Sequence, residues 1–162
     1  MMSENALKLS IPHCVDSIIL AVTVTIQELN QPSRAGGFVS LFDFFDPAPH
    51  LILKVGSFEQ SEPGRGEACF NYSQEKGRRL QQYPDHVSSF QSRNPDEKKW
   101  GGAVRGNRVI LSFSGLPEIL DELAMVRAGL ELGLFPDYDR IRKIADASDN
   151  AMIRDILASF AA

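Results

Sequence analysis

The sequence predicts an α+β domain organised on an antiparallel sheet, and three observations carry that reading. Ala103–Arg105 and Arg108–Ser114 read as strands joined through Gly106-Asn107, and they feed a helix that opens at Pro117. Phe38–Phe45 and His50–Val55 form a second strand pair, rich in aromatic and β-branched residues and divided by Asp46-Pro-Ala-Pro49. Around and between these pairs, apolar residues recur at helical spacing. Two hairpins joined through a helix, with further helices at the ends, indicate an α+β sandwich.

Taken in order, Ser10 is an N-cap candidate, and Ile11, Val15, Ile18, Val22, Ile26 and Leu29 mark one helical face. Val22–Ile26 also alternates as a strand would, but the stripe persists for five turns, so Ile11–Leu29 is predicted as a helix. Pro32 and Gly36-Gly37 end it. After the first hairpin, Gly56–Gly66 is the longest turn-rich interval and is expected to move or to face a ligand. Glu67–Tyr83 is predicted as a helix with Cys69, Tyr72, Lys76, Leu80 and Tyr83 on one side. Pro84 interrupts it, and Asp85–Phe90 adds one further turn. In the second hairpin, Gly106 and Asn107 are chosen for their tolerance of positive φ. The helix from Pro117 carries its stripe on Leu116, Ile119, Leu120, Leu123, Val126 and Leu130. Beyond Phe135-Pro136, Asp137–Ala145 and Asp149–Phe160 are short amphipathic segments, expected to pack on the domain or on a neighbouring subunit. Residues 1–135 thus form the domain, and 136–162 a helical extension.

The totals exclude several classes. A chain of 162 residues with 43% hydrophobic and 23% charged residues is an ordinary globular domain. Its net charge of −4 argues against a nucleic-acid surface, and Arg78-Arg79 and Lys98-Lys99 read as solvated pairs. Cys14 and Cys69 suggest neither a disulfide framework nor a zinc site. No signal peptide and no membrane-length apolar run are recognised, so a cytoplasmic setting without membrane partners is expected. A nucleophile elbow, a Walker loop and a dinucleotide fingerprint are all missing.

Antiparallel sheets flanked by helices occur in profilin-, PAS- and GAF-like modules, which bind ligands more often than they catalyse. Several pieces in order resemble one such family. The first strand ends in Asp43, the return strand begins His50-Leu51, and the middle helix carries Lys76-Gly77. Gly101-Gly102 leads into the last hairpin, Ser114-Gly115 closes it, and Asp121-Glu122 and Ala128-Gly129 follow. Over roughly residues 10–133 the chain resembles the GlcG/HbpS-like family of haem-degrading or haem-binding domains, also found as the C-terminal part of PduO-type proteins. It departs from the pattern in its two-proline first turn, in Val55-Gly56-Ser57-Phe58, in Phe113, and in the tail after Pro136. The resemblance implies a five-stranded antiparallel sheet, haem as a cofactor and homo-oligomeric assembly. The residues themselves mark four strands, with a fifth sought in Val87–Phe90 or before Ser10.

The candidate site follows from these pieces. Ser114-Gly115 precedes a helix N-terminus, where free N–H groups and the helix dipole favour an anion. Lys76 lies mid-stripe, where a long side chain either snorkels to the edge or meets an anionic ligand. Lys76, Ser114, Gly115, Gly101 and Gly102 are therefore the expected ligand-binding residues, with Lys76 and Ser114 facing one cavity. Haem would draw an axial ligand from His13, His50 or His86, or from a thiolate. Asp121 and Glu122 point about 100° apart on a helix and read as dipole-complementing residues. Arg127 and Glu131 are spaced for an exposed ion pair. Three readings follow: a small-ligand module for haem or another anionic or planar cofactor, a scaffold without a ligand, and a cofactor-degrading enzyme.

Overall fold

The computed structural model of the chain describes residues 11–59 and 62–161. Five helices and one four-stranded antiparallel sheet follow the order α1 (Ile11–Leu29), β1 (Gly36–Phe42), β2 (Leu51–Gly56), α2 (Arg65–Gln82), β3 (Ala103–Arg105), β4 (Ile110–Ser114), α3 (Glu118–Glu131), α4 (Tyr138–Ser148) and α5 (Ala151–Phe160). The sheet runs β2-β1-β4-β3, so the first strand of one hairpin pairs with the last strand of the other. Phe38 lies opposite Ser114, Ser40 opposite Ser112 and Phe42 opposite Ile110.

That register fixes what each face carries, because successive side chains point to opposite sides. Val39, Leu111 and Phe113 meet Ile18 and Val22 of α1 and Leu123 and Val126 of α3 in the larger core. Ile141, Ile144, Ala145 and Ile153 of α4 and α5 belong to that same core. On the opposite face, Phe42, Ile110 and Ala103 pack with Leu80 of α2 in a smaller cluster. Gly77 permits this close approach, since a Cβ there would come within 2.3 Å of the Phe42 ring.

The sheet has four strands among the described residues, not five. Val87–Phe90 supplies only the rudiment of another: Ser88 bridges Val104, and Arg105 N–H donates to the Val87 carbonyl at 2.9 Å. Ser88 then caps a 3-10 turn at Ser89–Ser92 through a reciprocal bond with Gln91, which ends the pairing. The single helical turn expected at Asp85–Phe90 is replaced by this arrangement. The region before Ser10 lies outside the described residues.

Other boundaries moved for local reasons. β1 stops at Phe42 because the Asp43 carboxylate accepts N–H bonds from Phe45 at 2.8 Å and Asp46 at 2.6 Å. An Asx turn thus displaces the strand expected through Phe45. In the second hairpin, positive φ falls on Arg108 at 62°, not on Gly106 or Asn107. α3 is buried nearly all round from Asp121 to Val126, because α1, β4 and α5 all pack against it. Arg127 meets Glu28 of α1 at 2.7 Å rather than Glu131.

The irregular chain from Tyr83 to Gly102 is held by two buried arginines. Arg79 donates to the carbonyls of Ser89 (3.2 Å), Ser92 (2.8 Å) and Trp100, and pairs with Glu75 at 2.9 Å. Arg105 donates to the carbonyls of Leu80 (2.6 Å), His86 (2.8 Å) and Tyr83 (3.3 Å), and lies over the Phe44 ring. Arg79 is therefore an interior anchor, not half of a solvated pair.

Candidate functional site

A cavity of about 360 Å³ opens between α2 and the turn from β4 to α3. Lys76, Ser114 and Gly115 all line it, together with Arg34, Arg65, Cys69, Tyr72, Trp100, Glu118 and Asp121. Helix α2 brings Arg65, Cys69, Tyr72 and Lys76 to this side at turn-by-turn spacing. The face of β4 that carries Ser114 also carries Ser112, both directed toward α2.

Lys76 does not snorkel. It is 1% exposed, and its ammonium donates to the Asp121 carboxylate at 3.0 Å and to the Phe113 carbonyl at 2.9 Å. Asp121 is held from the other side by the Leu116 N–H at 2.8 Å. Burial pushes the Asp121 carboxyl up to about 6, even with Lys76 beside it. Asp121 thus occupies part of the anion-favouring helix terminus that the sequence offered to a ligand. Gly115 is small for a packing reason: a Cβ there would lie 2.3 Å from the Gly36 carbonyl oxygen.

Gly101 and Gly102 support the site from behind. Gly101 N–H donates to Glu118 at 2.7 Å, and Glu118 also takes a bidentate pair from Arg93. Burial raises the Glu118 carboxyl, but these donors outweigh it and hold the group below its usual range. Gly102 has φ 126°, and a Cβ on it would sit 2.9 Å from Lys76 Nζ.

The cations at the cavity mouth are less matched than the pair at its floor. Arg65 donates to the Gly115 carbonyl at 2.7 Å and, among the described residues, pairs with one acid, Glu62, at 3.7 Å. Arg34 forms no ion pair or side-chain hydrogen bond among the described residues. Tyr72, Trp100, Leu116 and Pro117 add apolar and planar surface. Burial raises the Cys69 thiol, offset in part by Arg65, and the thiol meets the Ser114 hydroxyl.

His13 and His50 lie elsewhere. His13 is exposed on the first turn of α1, and His50 is a half-exposed residue 3.2 Å from Asp43. Neither lines the cavity, and burial raises the Cys69 thiol, so neither an expected histidine nor a thiolate is presented there. Among the described residues, no group of three or more His, Cys, Asp or Glu side chains could hold a metal ion. None of their helices is long and apolar enough to cross a membrane. A second depression of about 400 Å³ runs along α2 between Asn71 and Tyr83, lined by amides and charges and by none of the expected site residues.

Sequence reasoning missed Arg34 and Arg65, which carried no motif, and the partnership of Asp121 with Lys76. It also missed Glu122, which is fully buried and accepts from Ser88 at 2.5 Å, Asn150 at 3.2 Å and the Ser148 hydroxyl. Burial without a cation pushes the Glu122 carboxyl up to about 7. Asp121 lies buried in the first turn of α3, where its charge complements the helix terminus as expected, whereas Glu122 is an interior anchor. Family models, curated proteins and solved structures yield no match to this chain, and the resemblance to GlcG/HbpS-like domains rests on the residues quoted above alone.

Proposed function

We propose that the chain is a small-ligand-binding module whose site is the cavity between α2 and the β4–α3 turn. The ligand class is a small organic anion with an apolar or planar body. One observation carries this reading: two arginines of weak or absent acidic pairing border a partly apolar cavity of about 360 Å³. Pockets of this size, with a few convergent polar groups on an apolar lining, are where small molecules bind. The anion is assigned to Arg34 and Arg65, and the body to Tyr72, Trp100 and Leu116.

Calorimetric titration with a panel of small carboxylates and phosphate esters tests the reading. A binder is expected to lose about 10- to 100-fold in affinity on Arg34→Ala, the scale of one charge-assisted bond. Absence of binding across the panel would remove the proposal. A haemin titration run alongside reads haem directly through its Soret band.

A second reading, self-association, is favoured by one feature of α1. Ile19, Leu20 and Val24 stay exposed on that helix, Leu20 at 59%. Apolar residues grouped on one helix mark association surfaces in soluble proteins. Sedimentation of the wild type against Leu20→Asp decides it: a monomeric wild type would reject this reading.

A further inference from the structure

The polar floor of the cavity joins three elements that activate an amine. Lys76 offers the amine, the Asp121 carboxylate lies 3.0 Å from it, and the Leu116 N–H orients that carboxylate at 2.8 Å. A nucleophile, a base within hydrogen-bond reach and a third group holding the base form the general pattern of covalent catalysis.

The same wall carries an anion site. Lys76 Nζ donates to the carbonyl of Phe113, and Arg65 Nη2 to the carbonyl of Gly115, two residues further along. Both side chains line the same cavity, so the amine and the guanidinium can meet one ligand. A carboxylate joined directly to a carbonyl carbon lets one small molecule meet both, its acid group taking a charge-assisted hydrogen bond from the guanidinium and its carbonyl carbon facing the amine.

We propose that Lys76 forms an imine with short 2-oxo acids, with Arg65 holding the carboxylate and Asp121 carrying the proton. This rests on the cavity being a site for organic anions. Asp121 takes a proton from the Lys76 ammonium, and the freed nitrogen lone pair attacks the carbonyl carbon. The C–N bond forms, and the carbonyl electron pair moves to oxygen, which takes the proton back from Asp121. The nitrogen then releases a second proton to Asp121. Asp121 delivers that proton to the hydroxyl, which leaves as water while the nitrogen lone pair closes the C=N bond. The products are a protonated imine and one water, with Asp121 again a carboxylate. A carboxyl raised to about 6 suits a group that must both accept and return a proton near neutrality.

The experiment treats the full chain with pyruvate and sodium borohydride, then measures intact mass and maps the modified peptide. One reduced adduct per chain, on the peptide bearing Lys76, is the expected result. Asp121→Asn should form it about a hundredfold more slowly, the lower range for general acid–base assistance. No adduct, or an adduct spread evenly over Lys54, Lys98, Lys99 and Lys143, would overturn the proposal. Equal yields from pyruvate and 4-oxopentanoate would overturn the preference for 2-oxo acids. Carboxylates that bind without trapping defeat the imine alone, whereas no binding of any anion defeats the binding module as well.

Discussion

On one face of the sheet, Val39, Leu111 and Phe113 meet the aliphatic side chains of α1 and α3. On the other, Ser40, Ser112 and Ser114 meet α2, which presents Cys69, Ser73 and Lys76. Ser40 and Ser73 share a hydrogen bond at 2.8 Å, while the fully buried Ser112 hydroxyl has no partner among the described residues. The apolar face gains its free energy from removing surface from water, without regard to direction. The polar face gains little net stability, because each bond it makes replaces one with water. Its groups are instead fixed in direction, which a cavity needs in order to discriminate among ligands.

The largest expected effects come from stripping either face of a central group. Asp121→Ala leaves the Lys76 ammonium buried without its partner and should cost about 3–5 kcal/mol in urea denaturation. Replacing both members, as Lys76→Met with Asp121→Leu, should return stability to within about 1 kcal/mol of wild type or above it. A double variant as unstable as the single one would break the claim that the polar face is held for direction rather than stability. Phe113→Ala on the apolar face should also cost about 3–5 kcal/mol, with no compensating second change.

Next in size is the proton linkage of Glu122. Its carboxyl is raised from 4.5 to about 7 by burial, so the folded state holds a proton that the unfolded chain releases. The associated stability is fully present below about pH 4.5 and is lost as pH rises through about 7. Comparing wild type with Glu122→Gln isolates the effect, and their difference should change by roughly 3 kcal/mol over that window. A pH-independent difference would show that Glu122 titrates normally.

Smaller effects sharpen the contrast. Ser112→Ala removes the orphan hydroxyl and should stabilise by about 1 kcal/mol. Arg127→Ala breaks the partly exposed pair with Glu28 and should cost less than about 1 kcal/mol. Thermal or chemical unfolding measures both.

What could be read from the chain followed the range of the interactions. The α1 stripe, the pairing within both hairpins and the helix after Pro117 are written in neighbours three or four apart, or in alternation, and they stand as expected apart from the strand ends and the second turn. Lys76 could be singled out as a charge on an inward face, but its partner is 45 residues away, and no local spacing names it. Arg79 and Arg105 bind carbonyls, and a carbonyl leaves no mark in a sequence. The short helical turn assigned to Asp85–Phe90 failed for the same reason, since those bonds organise the segment. Asp43 was legible as a strand end by resemblance, yet its grip on Phe45 and Asp46 was the detail that set the boundary.

Two of the three donors to Glu122, Ser148 and Asn150, come from beyond Pro136, as do Ile141, Ile144 and Ile153 of the main core. The last two helices are therefore a closing wedge. During synthesis, the domain cannot seal until roughly residue 153 has left the ribosome. A chain cut after Pro136 would keep an acid with one donor, Ser88, facing an open interior, so the expected fate of such a fragment is aggregation or proteolysis rather than a smaller working protein.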